Sequence, residues 1–127
     1  MVWAVISIFV GRLFVSKLAQ LIATEEGFYV AGSVPNRMDN PGDLRHSPHS
    51  FHSGDPNAVG QIDTVADGWA DLERQLGLYA ERGLTLEEAI YEFAPPTENN
   101  SAEYLAYVCS GLKCDPQMLV ADALKIT

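Results

Sequence analysis

Apolar positions recur at helical spacing in several stretches of the chain and lose that spacing in one. Phe14, Leu18, Leu21 and Ile22 mark a first helix that stops at Gly27, the residue type that best tolerates a left-handed exit. Residues 29 to 60 hold most of the prolines and all three histidines with no sustained period, which reads as loop and short strand. Trp69, Leu72, Leu76 and Tyr79 then define a second helix, opening near Thr64 or Asp67 and ended by Gly83. Thr85 and Glu88 have capping-box spacing for a third helix through Leu86, Ala89, Ile90 and Phe93, stopped by Pro95 and Pro96. A fourth runs from about Ser101, with Tyr104, Leu105 and Val108 inward and Gly111 closing it. Asp115-Pro116 reads as the start of a last helix ending near Leu124. The expected class is mainly α: about five helices, with a small irregular β region between the first and second.

Residues 2 to 10 are apolar apart from Ser7, too short a run for the roughly 20 residues a membrane-spanning helix needs. The neighbouring bases, Arg12 and Lys17, follow the apolar run instead of preceding it, and no Ala-x-Ala cleavage site is seen, which argues against a secretory signal. Residues 1–15 are therefore read as an apolar extension of helix one, residues 16–127 as one domain, and synthesis as cytoplasmic. At 127 residues one compact domain is expected. Eight basic against 17 acidic residues, a net charge of −9, argues against nucleic acid as a partner.

Two adjacent acids close the first helix. A helix C-terminus and burial both disfavour ionisation of a carboxyl, and a carboxyl protonated near neutral pH is what a glycosidic general acid requires. The plainer alternative is a solvated surface pair. Projected at 100° per residue, Glu25 falls near the centre of the apolar stripe and Glu26 on its flank, beside Gly27 where the helix unwinds; the wheel does not choose between them.

Other candidates carry less. His46, His49 and His52 recur every third residue, but Pro48 interrupts helical presentation and no cysteine is near, so an exposed polar loop is preferred and no metal or cofactor is expected. A metal-dependent peptidase built on that triplet would be stopped by chelators. Cys109 and Cys114 allow a small-loop disulfide; a reduced, half-buried pair is preferred. Asn40-Pro41-Gly42-Asp43-Leu44 is a tight bend, with proline fixing φ and glycine free to take a positive one. If it lines a groove, Asn40, Asp43 and Arg45 are placed to hydrogen-bond sugar or peptide groups, with Gln61 at the end of the irregular stretch counted among the substrate contacts; Glu98-Asn99-Asn100 either starts the fourth helix or presents amides to the same groove.

Glu26-Gly27-Phe28 followed by Pro35-Asn36-Arg37-Met38-Asp39-Asn40-Pro41-Gly42-Asp43-Leu44 resembles the start of small lysozyme-like, lytic-transglycosylase-like domains of phages and bacteria. Asp63-Thr64 before Asp67-Gly68-Trp69, Gln75-Leu76 with Tyr79, Ala94 to Asn99, and Tyr104 to Val108 keep the family's order, so the likeness covers residues 18 to about 124. Asp39 and Met38 depart from it. The resemblance implies that Glu26, not Glu25, is the catalytic acid, that the Asn40 to Leu44 turn borders the cleft, and that Asn99 and Tyr104 approach the sugar from the other side. The implied substrate is peptidoglycan glycan, cut between N-acetylmuramic acid and N-acetylglucosamine by a monomer acting at the cell wall or within a phage particle. Asp39 and Asp43 are the available second acids. An inverting hydrolase needs one about 6.5 to 9.5 Å across the cleft, whereas a transglycosylase needs none, and the latter is favoured. The rival is a non-catalytic phage structural or wall-binding module of the same fold. The negative charge is unusual for an enzyme attacking an anionic wall.

Overall fold

A computed structural model of the chain describes residues 14–51 and 58–127. The apolar run at 2 to 10 and His52 lie outside them. Ser16 stops α1 (Lys17–Glu25) from reaching further back: its ψ of 155° is extended, and its hydroxyl accepts from the Ala19 amide at 3.1 Å. Phe14 and Val15 therefore precede the helix instead of extending it. The same residue is fixed to the middle of the chain, its amide and hydroxyl donating to the Glu73 carboxylate at 2.7 and 2.9 Å.

The irregular stretch holds the short strands expected of it and one helical turn that was not expected. Ser33 caps a single-turn helix α2 (Val34–Arg37), with Pro35 in the first turn where its missing N–H is no loss. Two short antiparallel strands follow, β1 (Ser50–Phe51) and β2 (Gln61–Ile62), paired Ser50 to Ile62 and Phe51 to Gln61. Asp71, 2% exposed, ties the loop before β1 to the helix layer. Its carboxylate accepts from the Ser47 hydroxyl at 2.6 Å, the His49 amide at 2.9 Å and the His49 ring Nδ1 at 2.6 Å. Burial opposes its ionisation, but these bonds together outweigh that and hold it below the ordinary aspartate range.

The remaining helices are α3 (Val65–Glu81), α4 (Leu86–Phe93), α5 (Ser101–Leu112) and α6 (Val120–Ala123). Thr64 is the α3 cap, Thr85 and Glu88 form the full capping box of α4, and Asn100 caps α5. Leu18, Ile22, Leu72, Leu76, Ile90, Val108 and Val120 are the centre of one core, where α1 meets α3 and α5, and α6 meets α3 and α4. The mainly helical class with a small β region after the first helix is what the periodicity predicted.

Two expected helix ends move. α5 runs through Gly111 and closes on Lys113, which takes the left-handed conformation (φ 56°). Gly111 serves close packing instead: a Cβ there would meet the Leu21 side chain at 2.7 Å. Asp115-Pro116 forms a turn, Asp115 accepting from the Gln117 amide, and α6 starts only at Val120. Cys109 and Cys114 are free thiols, the first buried and the second half-buried. Among the described residues, no helix is long and apolar enough to cross a membrane.

Candidate active site

Glu26 is the C-cap of α1, its amide still bonded to the Ile22 carbonyl at 2.9 Å before the chain turns away through Gly27 (φ 84°). The structure separates the pair that the wheel left open. Glu25 is exposed, while Glu26 continues the line of Ala19, Ile22 and Ala23, all buried. The buried face of the helix runs through Ala19 and Ala23, which the stripe of larger apolar residues leaves out; Phe14, part of that stripe, lies outside the helix and is 44% exposed.

Glu26 opens onto a cleft of about 410 Å³, within the range of small-molecule sites. One wall is the turn from Gly42 to Arg45; the other is the end of α4 and the loop from Pro95 to Asn99; Gln75 and Tyr79 of α3 complete it. Burial pushes the Glu26 carboxyl up to about 7. The Tyr104 hydroxyl, donating to Oε2 at 2.7 Å, pulls the other way, and the charges of Asp43 and Glu25 add to the rise. Tyr104 itself is 3% exposed and lies behind the acid, so it holds Glu26 instead of approaching a ligand from the opposite wall.

Asp43 borders the same cleft. It adopts a left-handed φ of 53°, a conformation Asp tolerates better than most residues, and its Oδ1 is buried without a hydrogen-bond partner. Burial raises its carboxyl to about 6 against the favourable charge of Arg45. Asp39, the other expected second acid, is not part of the cleft; it takes the left-handed conformation on the preceding turn, with its carbonyl against Gly68 of α3. Gly42 between them does not use the positive φ expected of it. What it supplies is space, since a Cβ there would stand 2.9 Å from Leu72 Cδ1.

Asn40, expected to touch substrate, does not line the cleft. It is completely buried, with Nδ2 donating to the carbonyls of Leu44 and Gly60 at 2.8 and 2.9 Å and Oδ1 accepting from the Leu44 amide at 3.0 Å. Its amide is spent on fixing the turn that carries Asp43. Gln61 lies in β2, outside the cleft lining, and its side chain donates to the Ile62 carbonyl. Arg45 and Asn99 do line the cleft, and Arg45 Nη2 reaches Glu98 Oε1 at 2.9 Å, joining the two walls. Gln75 and Glu92 are cleft residues the sequence reading did not single out as contacts. Gln75 had a signal, a polar position one helical turn before Tyr79 on the inward face of α3; Glu92 had none, because its place depends on how α4 packs.

His49 is taken by Asp71, and among the described residues no three His, Cys, Asp or Glu side chains gather to hold a metal ion. Comparison with family models, with curated proteins and with solved structures returned no match for this chain. The cleft itself offers a carboxyl pushed up to about 7, hydrogen-bonded to a phenol, with a second, half-buried acid near it.

The balance on Glu26 can be tested through its partner. Tyr104→Phe removes a donor that favours the ionised form, so the carboxyl rises further and the alkaline limb of any Glu26-dependent activity moves to higher pH. Loss of orientation lowers the rate about tenfold at the optimum. A pH profile of kcat/KM checks both, and an unmoved alkaline limb would mean that Glu26 does not set it.

Proposed function

We propose that the chain cleaves peptidoglycan glycan at the bond between N-acetylmuramic acid and N-acetylglucosamine, as a lytic transglycosylase in preference to a hydrolase. The observation that carries this reading is Glu26, a carboxyl raised to about 7 by burial at the edge of a sugar-sized cleft. The resemblance of residues 26–44 to lysozyme-like domains supports it independently.

Glu26 gives its proton to the glycosidic oxygen as the C1–O bond breaks, and the substrate's own acetamide oxygen stabilises C1. The Tyr104 hydroxyl then strengthens its bond to the carboxylate that remains, which lowers the cost of the charge in a desolvated site. The muramyl C6 hydroxyl closes on C1, the acetamide is released, and the hydroxyl proton returns to Glu26. Asp43 is the acid available in the cleft should water replace that hydroxyl.

Purified cell walls incubated with the protein between about pH 4 and about pH 8 are expected to release soluble muropeptides with anhydromuramyl ends, read by mass spectrometry. Reducing ends would make the enzyme a hydrolase. Release of nothing across that range would leave a non-catalytic wall-binding or structural module.

A further inference from the structure

The cleft is acidic with one exception. Glu26, Asp43, Glu92 and Glu98 all border it, and among the described lining residues Arg45 is the single cation. Glu92 is already held by Arg82, which reaches both of its carboxylate oxygens. Arg45 is held differently. It bonds Glu98 through Nη2 alone, with both side chains about half exposed (56% and 49%). A guanidinium has five donors in a planar fork that matches a carboxylate with two parallel bonds, so a single exposed contact leaves most of that capacity unused. Exposed pairs of this kind are weakly held and exchange readily.

We infer that Arg45 is the specificity-determining residue of the cleft, that it binds a carboxylate on the substrate, and that Glu98 is the internal stand-in which that carboxylate displaces. This rests on the proposed function, and it names the part of the glycan that is recognised. Near the scissile bond a peptidoglycan strand carries carboxylates from two sources, the free lactyl acid of a muramyl residue without its peptide and the acid groups of an attached stem peptide. An uncharged N-acetylglucosamine oligomer carries neither. In a protein of net charge −9, a paired guanidinium at the cleft gives selectivity for an anionic ligand that long-range attraction does not provide.

The test is equilibrium binding by calorimetry on the full chain carrying Glu26→Gln, which prevents turnover. Three tetrasaccharides serve as probes: an N-acetylglucosamine oligomer, a muramyl glycan with free lactyl acids, and a muramyl glycan with stem peptides. At least one muramyl probe is expected to bind about tenfold tighter than the neutral one, and which of them does so identifies the carboxylate. Adding Arg45→Gln is expected to erase that preference. Adding Glu98→Gln instead removes the competitor and is expected to widen it about threefold. If all three probes bind alike, or if the preference survives Arg45→Gln, the inference fails while the glycan reading stands. If no probe binds, the glycan reading fails and the inference with it.

Discussion

Glu26→Gln is expected to reduce wall cleavage by about a thousandfold or more while making the folded protein more stable at alkaline pH. The loss of activity follows from removing the transferable proton, because general acid catalysis by one positioned group contributes roughly 10²- to 10⁴-fold. The stability effect has a defined sign. Burial holds the Glu26 carboxyl up at about 7 in the folded chain, above the ordinary glutamate value of 4.5 that applies to the unfolded one. The native state thus binds the proton more tightly, and the stabilisation present below about 4.5 is lost as pH rises through 7. Gln stays neutral and escapes that loss. Thermal midpoints of the two proteins should coincide near pH 4.5 and separate above pH 7 in favour of the variant, by about 2 kcal/mol or a few degrees. A variant that keeps wall-clearing activity, or midpoints that stay parallel across the range, would remove Glu26 from the catalytic position. The combination is informative because a general defect in folding would move stability the other way.

Gly68→Ala is expected to be the most damaging substitution of a single methyl group in α3. A Cβ at Gly68 would lie 2.1 Å from the Asp39 carbonyl oxygen and 2.7 Å from Pro41 Cδ. Neither is the end of a flexible side chain, so the helix or the turn has to shift. That turn places Asn40, and through it Asp43 and Arg45, against the cleft. A loss of about 3 kcal/mol, after allowing for the higher helix propensity of alanine, is expected in urea unfolding. Gly77, on the same helix with open space around its Cα, is the control. Gly77→Ala is expected to stabilise by up to about 1 kcal/mol. Equal effects at the two positions would show that helix propensity, and not the approach of the turn, governs Gly68.

The four longer helices, α1, α3, α4 and α5, were legible in the sequence because their signals are local. Thr64, Thr85 and Asn100 cap where polar residues precede apolar periods, and Leu72, Leu76 and Tyr79 are buried as their spacing requires. Ends resting on one residue type were less secure. Gly111 reads as a stop signal, whereas its missing side chain admits Leu21, and the helix turns off at Lys113 instead. The wheel could not choose between Glu25 and Glu26 for a similar reason: Ala19 and Ala23 are fully buried and centre the inward face on Glu26, but weigh little in a hydrophobic stripe.

The site was only half legible. Asp43, Arg45 and Asn99 came from turn and loop chemistry and do meet at the cleft. Asn40 has the same chemistry and is buried, because its amide completes the backbone bonding of its own turn. Nothing local distinguishes an amide that faces inward from one that faces a ligand. The opposite wall, from Glu92 to Asn99, depends on the packing of α4 and α5, joined by the buried Ser101 hydroxyl donating to the Ala94 carbonyl.

The bond from Asn40 to the Gly60 carbonyl closes a segment of twenty positions on itself. Asn40 also bonds the amide and carbonyl of Leu44, so one buried amide fastens the approach to β2 and the turn at Asp43 to the same point. A single replacement there, Asn40→Ala, would loosen both anchorages at once, coupling the register of the small sheet to the wall that faces the acid.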